Sequence, residues 1–341
     1  MVFGAKSREL ENVSFKFGDT QITPTPTHKH LGVILSMDGK WSSHVDYIIE
    51  KVTKQISVLR KLKYNLNRDT LSKIYASFIR PHFEYACEVW DGLSKFDIDR
   101  LEKTQKEALR IISGLPVFCS TDALYFETGF QTLQARRTNR KLCMVYKIQN
   151  NLAPVYLNNL MPPMVSEMTQ YPLRNANNIS IPRCRLNIYK NSFFPSSITA
   201  WNTLPDEIKN IDQFNKFKVS INPRISPPSN YLSYGKRSLN IIHTQLRHKC
   251  SKLNDDLYRV NLSSVRNCMC GNRHENAEHF FLQCPLYHNI RSDLNNVFMR
   301  FHIQPNIDDI LYGNPNLTNE QNLNLAKSVQ TFINKSNRFT C

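Results

Sequence analysis

Residues 41–60 have the sequence WSSHVDYIIEKVTKQISVLR, and from Trp41 onward the apolar periodicity of the chain is helical. The apolar side chains of this stretch recur at spacings of three and four residues, which puts them on one stripe of a helix. The stripe consists of Val45, Ile48, Ile49, Val52, Ile56 and Leu59. Ser42 or Ser43 is available as the N-cap. The sequence therefore predicts a long amphipathic helix with a core on one side of it.

Three further helical patterns follow this stretch. Asn67 is a suitable cap for a second helix, which Pro81 is expected to kink or split because proline lacks a donor and clashes one turn back. A third helix is expected over about 95–113, closed by Gly114, and a fourth over about 131–150. Four antiparallel helices with short connections predict a bundle.

The segment before this bundle predicts a small β unit. Val13–Phe17 alternates between apolar and polar residues, and Leu31–Leu35 is a buried-type run with one glycine. Asp38–Gly39 is a strong turn signal. Two or three strands this short are not stable alone, so we expect them to pack on the following helices or on a further domain upstream.

The segment after the bundle has a different composition. More than half of the 17 prolines lie between Pro154 and Pro228. Helices there are expected to be short, with one hairpin around Ile179–Tyr189. This composition favours a connecting region over a compact domain. Helical patterns return at about 238–252, 287–300 and 319–335.

The charge of the chain is strongly positive and unevenly distributed. The formal net charge is +16. Residues 1–150 hold 23 basic and 16 acidic side chains, residues 151–267 hold 15 and 6, and residues 268–341 hold 6 of each. Clustered basic groups gain free energy by releasing counterions from a polyanion, so RNA or DNA is the expected partner. The alternative is a solvated basic surface without a partner.

Several classes of protein are disfavoured. The 41% of apolar residues indicates a globular chain, and nine cysteines are too few for a disulfide scaffold. No secretory signal and no run of 18 apolar residues occurs, so no membrane association is expected. These features predict a protein of the nucleus or cytoplasm.

Motifs of enzyme chemistry are not evident. Neither a glycine-rich phosphate loop nor a G-x-S-x-G elbow occurs. The adjacent carboxylate pairs are Asp255–Asp256 and Asp308–Asp309, and both lack the aromatic-x prefix and flanking strands of a polymerase hairpin. Asp308–Asp309 is expected to begin a helix, where acidic groups favour the dipole. No catalytic residue is predicted.

The sharpest local motif is Cys268-x-Cys270-x8-His279-x4-Cys284. Three thiolates and one imidazole are the ligands of a closed, structural zinc site with no open position for catalysis. The sequence therefore predicts one structural zinc ion. His274 and His288 are rival ligands that spacing does not exclude, and four reduced residues in an ordinary helical segment are the alternative.

Basic and aromatic side chains alternate at two places in the predicted bundle. Lysine and arginine would contact phosphates while an aromatic ring stacks on a base. The candidate nucleic-acid-binding residues are Lys61, Lys63, Tyr64, Arg68, Arg136, Arg137, Arg140 and Lys141. The alternative for each group is a solvated helix face.

Motifs in a characteristic order cover residues 30–300. They are HLGV (30–33) with DG (38–39), YASFIRP (75–81), YACEVW (85–90), LEKTQK (101–106), WNTLP (201–205), FNKFK (214–218), and CMCG (268–271) with HFFLQCP (279–285). Together they resemble the C-terminal part of the reverse transcriptases of jockey-like non-LTR retrotransposons, from the palm–thumb junction onward.

The resemblance implies a role for each part. The strands around Leu31–Val33 would lie near the primer terminus, the helices from Trp41 would form a thumb on the template–primer duplex, and the Cys/His module would help to bind element RNA or target DNA. The family's aromatic-x-Asp-Asp hairpin, with its magnesium ions, has no counterpart here. Polymerase activity is therefore not expected of this chain alone, and an upstream polymerase domain is the expected partner if the full frame exists.

The sequence thus predicts a mainly α protein with a small N-terminal β unit. The expected parts are a palm remnant (1–40), a thumb-like helical bundle (41–150), an irregular Pro-rich connection (151–237), a region with a zinc-knuckle-like module (238–302) and a helical tail (303–341). The expected function is non-catalytic binding of template–primer or element RNA or DNA. The alternatives are a domesticated zinc-containing protein-interaction module and a decayed copy without function.

Overall fold

The computed structural model describes residues 13–168, 171, 176–222 and 229–339. As predicted, the described chain is mainly α-helical with a small N-terminal β unit. It divides into two compact units, each assembled from three segments. Unit 1 comprises 1–57, 76–105 and 131–224, and unit 2 comprises 58–75, 106–130 and 225–341. The domain boundaries expected from the sequence stay predictions.

In the described part of the chain, the strands precede the helices. The strands are β1 (Phe15–Phe17), β2 (Thr20–Ile22), β3 (Thr27–His30) and β4 (Val33–Ser36). The first helices are α1 (Ser42–Leu62), α2 (Arg68–Ile74), α3 (Arg80–Glu84), α4 (Cys87–Trp90), α5 (Lys95–Ser113), α6 (Thr121–Thr128), α7 (Leu133–Gln149), α8 (Val155–Asn158) and α9 (Val165–Met168). The later helices are α10 (Asn187–Lys190), α11 (Phe193–Asn202), α12 (Asp206–Lys209), α13 (Phe214–Ser220), α14 (Arg237–Arg247), α15 (Asn254–Arg259), α16 (His288–Arg300), α17 (Ile307–Tyr312) and α18 (Asn319–Lys335).

The β unit consists of two antiparallel hairpins, β1–β2 and β3–β4. The strand predicted over Leu31–Leu35 is confirmed as β4, but its first two residues lie outside the strand. Leu31 and Gly32 have φ of 45° and 84° and form the two-residue turn between β3 and β4, where such a pair of positive angles matches the twist of the strands. The strand itself begins at Val33, and the turn at Gly39 follows it as predicted.

The long helix predicted for residues 41–60 is confirmed as α1. Its apolar stripe is buried from Val45 to Leu59, with Ile49 half-buried. Ser42 donates its hydroxyl to Asp97 Oδ2 at 2.8 Å and so joins the start of α1 to α5. The stripe therefore faces a core, as the spacing indicates.

The second predicted helix is interrupted by a π turn just before Pro81. Asn67 caps α2 by accepting from the Thr70 amide at 2.9 Å, as expected. A π-helical turn over Tyr75–Ile79 then separates α2 from α3, and Pro81 lies in the first turn of α3. Proline is tolerated there because the amide it lacks has no partner in the first turn of a helix.

Gly114 ends α5 as predicted. Its amide donates to Arg110 O at 2.8 Å, and its φ of +75° lies in the left-handed region that glycine adopts without strain. A Cβ at this position would lie 2.3 Å from Ile241 Cγ1 and 2.8 Å from Ile241 Cδ1. Glycine is therefore required both by the backbone angle and by the close approach of α14.

Gly114→Ala is expected to destabilise unit 2 by about 2–4 kcal/mol, because an overpacked contact adds to the strain of positive φ. Urea unfolding followed by circular dichroism measures the change. Gly39→Ala is the control, since Gly39 has a φ of +71° with nothing within 4 Å of its added Cβ. Equal losses in the two variants would contradict the steric argument.

The core of unit 1 includes part of the Pro-rich segment. Trp201 of α11 and Phe217 of α13 pack with Tyr146 of α7, whose ring centroid lies 4.4 Å from that of Phe217. The hairpin expected around Ile179–Tyr189 is wrong. Ile179 instead forms an isolated bridge with Met164, and the chain becomes helical again at α10, because proline at 182 cannot donate to a ladder.

The core of unit 2 surrounds a cluster of phenylalanines. Phe280 and Phe281 contact Phe332 of α18, with ring centroids 5.2 and 5.3 Å apart, and Phe298 of α16 belongs to the same cluster. The helices predicted over 287–300 and 319–335 are confirmed as α16 and α18. No helix among the described residues combines the length and apolar character needed to span a bilayer.

A buried ion cluster lies elsewhere in unit 2. Glu127 of α6 is fully buried, and its Oε1 accepts from Arg247 Nε at 2.7 Å and from His248 Nε2 at 2.8 Å. Its Oε2 accepts from Arg68 Nη1 at 2.7 Å. Burial raises the pKa of the carboxyl, but the His248 hydrogen bond and the two guanidinium charges outweigh burial and lower the pKa to about 2. Glu127 is therefore ionised inside the protein.

Candidate metal centre and basic surfaces

Cys268, Cys270, His279 and Cys284 form a cluster in unit 2 that could hold a metal ion. Their potential ligand atoms all lie within 4.8 Å of one another. Cys268, His279 and Cys284 are buried, and Cys270 is half-buried. The four ligands expected from the sequence are thus in one place, although their spacing in the chain is irregular.

A tight turn presents the first two sulfurs. The Gly271 amide donates to Cys268 O at 3.0 Å, and the Cys268 amide donates to Asn272 O at 2.9 Å. Gly271 has a φ of +93°, which a residue with a side chain rarely adopts. Because the turn closes within four residues, Cys268 and Cys270 point into the same space.

A π-helical turn over His279–Gln283 presents the other two ligands. The Cys284 amide donates to His279 O at 2.7 Å, which is the five-residue bond of a π turn. The Asn276 side chain accepts from the His279 amide at 2.8 Å and fixes the start of the turn. An α-turn would rotate Cys284 away from His279, so the π turn is what brings imidazole and thiol together. Single π turns of this kind occur frequently at functional sites.

The separations fit a tetrahedral ion. Cys268 Sγ and Cys284 Sγ are 3.7 Å apart, and Cys270 Sγ and His279 Nε2 are 3.2 Å apart. Zinc–sulfur bonds of about 2.3 Å in a tetrahedron place two sulfurs about 3.8 Å apart. His279 Nε2 is therefore the nitrogen that faces the three sulfurs.

The acidity of the thiols bears on how the cluster could bind a metal ion. Burial raises the pKa of the Cys268 thiol to about 12 and raises that of Cys284. The pKa of Cys270 is lowered, chiefly by the backbone amide of Asn272. A bound cation stabilises the thiolate forms, which alone ligate metals, so metal binding would release protons.

The rival histidines lie outside this cluster. His274 Nδ1 is 3.0 Å from Asp255 Oδ1, and that carboxylate also accepts from Arg266. His288 is exposed at the start of α16. Of the rival ligand sets, the structure favours the one with His279.

A buried arginine supports the turn that carries His279 and Cys284. Arg291 of α16 donates from Nε to Phe281 O at 2.7 Å and from Nη2 to Cys284 O at 2.6 Å. These carbonyls belong to the turn that carries His279 and Cys284. Arg291 therefore holds the turn that carries two of the four potential ligands.

Both adjacent carboxylate pairs have structural roles. Asp256 is buried and accepts from the Ser251 amide at 3.0 Å and from the Ser251 hydroxyl at 2.6 Å. Asp308 and Asp309 lie in the first turn of α17, as predicted, where the Asn306 side chain caps the Asp309 amide at 2.8 Å. Both pairs lie in helical first turns rather than between strands.

The predicted basic face of α7 is turned toward acidic side chains of unit 1. Arg137 is fully buried and donates to Asp91 Oδ1 at 2.6 Å, and Lys141, also buried, lies 2.6 Å from Asp91 Oδ2. Neither side chain is presented to a phosphate in this structure, which corrects the expectation for these two residues. The sequence could not indicate this, because Asp91 lies some 50 residues away.

The other two arginines of α7 are only partly covered. Arg136 pairs with Glu84, and Arg140 donates to Glu88 Oε1 at 2.9 Å while 44% of its side chain stays exposed. These ion pairs compensate part of the positive charge. Arg140 therefore remains within reach of solvent but carries a neighbouring carboxylate.

The candidate nucleic-acid-binding residues between Lys61 and Arg68 lie partly at the surface and partly in the interior. Lys61 and Tyr64 are exposed, and Lys63 Nζ lies 4.9 Å from the centroid of the Tyr64 ring. Arg68 instead belongs to the buried Glu127 cluster. Only Lys61, Lys63 and Tyr64 thus form a surface of the expected kind.

The structure also contains a basic pocket that the sequence did not predict. It is a cavity of about 180 Å³ in unit 1, lined by Gly32, His44, Tyr47, Ile48, Lys51, His82 and Tyr85. Lys29 Nζ donates to Tyr47 OH at 2.9 Å, and the Nζ atoms of Lys29 and Lys51 each lie 4.6 Å from the Tyr47 ring centroid. Hydrogen bonds from these two lysines lower the pKa of Tyr47.

The pocket has the charge distribution of an anion site. The ammonium groups of Lys29 and Lys51 both lie against the ring of Tyr47. None of the described residues lining the pocket carries a carboxylate. Tyr47 and Lys51 are four residues apart on α1, so the sequence alone could have indicated that they lie on the same face of the helix. Lys29 joins them only because the β3–β4 hairpin packs beside α1, which no local pattern indicates.

Comparison with known proteins gives one distant similarity. Over 145 residues the chain is 24% identical to a protein of Drosophila melanogaster described as probable RNA-directed DNA polymerase from transposon X-element. The match covers 38% of this chain and 16% of that protein. No protein-family model matches the chain. The similarity supports a relationship to retrotransposon reverse transcriptases.

Proposed function

We propose that this chain is the palm-end, thumb and C-terminal part of a jockey-like non-LTR retrotransposon reverse transcriptase, and that it binds nucleic acid without catalysing polymerisation. The observation that carries this proposal is the pocket around Lys29, Tyr47 and Lys51. It lies on the HLGV segment and on α1, where the family motifs lead us to expect the template–primer. The distant similarity to a transposon polymerase supports the same assignment.

The chemistry of the pocket suits a backbone phosphate. Two lysines held over one tyrosine repel each other, and a phosphate between them would offset that repulsion. His82 lines the same cavity, and burial lowers the pKa of its imidazole. A duplex would gain affinity here without base-specific contacts.

Catalysis would reside in another part of such an enzyme. Two-metal nucleotidyl transfer needs paired aspartates at the end of a hairpin, and Asp255–Asp256 and Asp308–Asp309 have structural roles in helical first turns. Magnesium ions would therefore belong to an upstream polymerase domain. The chain's own contribution would be to hold the duplex, in the nucleus or cytoplasm.

For the Cys/His cluster we propose a single structural zinc ion. Three sulfurs and one imidazole nitrogen complete a tetrahedron, which leaves no position for a reactive water. The ion would hold the turn at Cys268 against the π turn at His279. Its role would be to stabilise the module that the family is expected to use for nucleic acid.

Lys29→Glu/Lys51→Glu is expected to weaken binding to a short RNA–DNA hybrid by about tenfold or more. A plot of the logarithm of the binding constant against the logarithm of the salt concentration should become less steep by about 2. Each lysine that contacts a phosphate contributes about 1 to this slope. Fluorescence anisotropy over a series of salt concentrations measures both quantities.

The matched control for this experiment is Lys40→Glu/Lys54→Glu. It makes the same change in net charge at two exposed lysines that already pair with Asp38 and Glu50. If both double variants lose affinity equally, the pocket has no special role. If the unsubstituted protein binds with no salt dependence, the proposed function is wrong.

A second candidate function is a zinc-containing protein-interaction module. Exposed apolar side chains in the Pro-rich segment favour it, notably Val155, Leu160 and Leu186. A stable protein that ignores RNA and DNA but binds a purified protein partner through this segment would favour the second candidate over the first.

A further inference from the structure

A furrow runs along one side of α18 in unit 2. It consists of two adjoining hollows of about 490 and 440 Å³ that share Tyr234 as a lining residue. One wall is the segment 229–239, with Ser229, Tyr231, Tyr234, Lys236 and Leu239. The other wall is α18, with Asn319, Leu323, Lys327, Gln330, Thr331, Asn334 and Lys335.

The α18 wall is a single stripe of the helix. Five of its residues follow one another at four-residue spacing, namely Asn319, Leu323, Lys327, Thr331 and Lys335, and Gln330 and Asn334 lie beside them, so these side chains project on the same side. At 1.5 Å per residue, the 17 residues of α18 give the furrow a length of about 25 Å. Such a length suits an extended ligand rather than a small molecule.

The opposite wall is fixed to the helix by a buried side chain. Gln330 Nε2 donates to the Tyr234 carbonyl and, at 2.7 Å, to Asn240 Oδ1. Gly235 follows with a φ of +83°, and a Cβ there would lie 2.3 Å from Gln330 Oε1. The Tyr231 hydroxyl donates to Tyr312 O at 3.1 Å. The furrow is therefore a preorganised feature of unit 2.

The furrow combines exposed aromatic surface with positive charge. Tyr234 is 46% exposed, and Lys327 Nζ lies 5.0 Å from the centroid of its ring. Lys236 is exposed beside it, whereas Lys335 is paired with Asp293 at 2.7 Å. None of the described residues that line the two hollows carries a carboxylate. Lys236 and Lys327 are therefore available to an anion.

We infer that this furrow binds single-stranded nucleic acid, with Tyr234 stacking on a base and Lys236 and Lys327 contacting phosphates. Proteins that bind single strands combine a basic groove with aromatic platforms in this way. An amphipathic helix would need a row of apolar pockets, and Leu239 and Leu323 supply only two apolar side chains here. The inference rests on the proposed function and adds a second site for a different form of nucleic acid.

Lys236→Glu/Lys327→Glu is expected to weaken binding to an unstructured oligothymidylate by on the order of tenfold or more, and Tyr234→Ala to weaken it by about tenfold. Neither variant should change binding to the RNA–DNA hybrid by more than about twofold. An oligonucleotide carrying 5-iodouracil should cross-link to the segment that contains Tyr234. The control is Lys73→Glu/Lys103→Glu, which makes the same charge change at two exposed lysines outside the furrow.

Each result separates the inference from the proposed function. If the furrow variants bind oligothymidylate as well as the control does, the furrow is not the site, while loss of hybrid binding in Lys29→Glu/Lys51→Glu would leave the proposed function intact. If the unsubstituted protein binds neither probe, both proposals fail together. If an acidic peptide such as polyglutamate binds through Lys236 and Lys327 and oligothymidylate does not, the occupant is a protein and the inference is overturned.

Discussion

Cys270→Ser is expected to purify with far less than one equivalent of zinc, whereas the unsubstituted chain retains one equivalent through dialysis against a weak chelator. Serine keeps the shape of the side chain, but its hydroxyl does not ionise near neutral pH and is a poor zinc ligand. Structural zinc sites bind with apparent free energies of about 10–16 kcal/mol, so losing one of four ligands should remove several kcal/mol.

The loss of zinc should also affect folding. The ligands join the turn at Cys268 to the π turn at His279, and Phe280 and Phe281 of that turn belong to the core of unit 2. We therefore expect a lower thermal unfolding midpoint for Cys270→Ser, and a similar decrease when a strong chelator is added to the unsubstituted protein. Elemental analysis and differential scanning fluorimetry measure the two effects.

The control for the metal experiment is Cys184→Ser, a half-buried cysteine of unit 1 whose thiol donates to Pro182 O. This variant should retain its zinc and its response to the chelator. Zinc absent from the unsubstituted protein at equimolar level would contradict the assignment. Unchanged zinc in Cys270→Ser would show that another residue completes the site.

Glu127→Gln is expected to lower the free energy of unfolding by about 3–5 kcal/mol, because removing one partner of a buried ion pair leaves the other charge uncompensated. Arg247 is fully buried and would lose its only carboxylate among the described residues. Both oxygens of Glu127 accept from donors, so the amide nitrogen of glutamine would face a donor at one of the two positions.

The same carboxylate should give the protein a characteristic loss of stability in acid. The pKa of Glu127 is lowered to about 2 in the folded protein from 4.5 in the unfolded chain. Its contribution of about 3 kcal/mol is therefore fully present above pH 4.5 and is lost as the pH falls toward 2. In Glu127→Gln this part of the acid dependence should be missing.

Urea unfolding at several pH values between neutral and strongly acid measures both effects. The matched control is Glu107→Gln, which removes an exposed carboxylate of the same unit from its pair with Arg60. Exposed pairs contribute about 0–1 kcal/mol, so the control should change little. Similar losses for the two variants, or an unchanged acid dependence in Glu127→Gln, would contradict the role assigned to the cluster.

The parts of the fold that were predictable are those determined by local sequence. The apolar spacing after Trp41 is sufficient to predict α1, and Asn67 and Gly114 mark helix ends because their chemistry satisfies the backbone there. The identity of the four potential Cys/His ligands was predictable for the same reason, because these residues lie in two short turns of the chain. These signals do not depend on what packs against them.

The parts that were not predictable depend on contacts between distant residues. Arg137 has the pattern of a surface cation, and only the packing of Asp91 against α7 reveals it as a buried ion pair. Lys29 is one of many lysines until the β3–β4 hairpin brings it beside Tyr47. The π turn at His279 breaks the helical period by one residue, which no propensity indicates.

The Glu127 cluster has a consequence for synthesis of the chain on the ribosome. Glu127 and Arg247 are 120 residues apart, and unit 2 is assembled from three separate segments. At about 5–20 residues per second, translation needs roughly 6–24 s to extend from one partner to the other. During that interval Glu127 has only Arg68 of its two arginine partners, so the ion cluster of unit 2 cannot be completed until Arg247 has been synthesised.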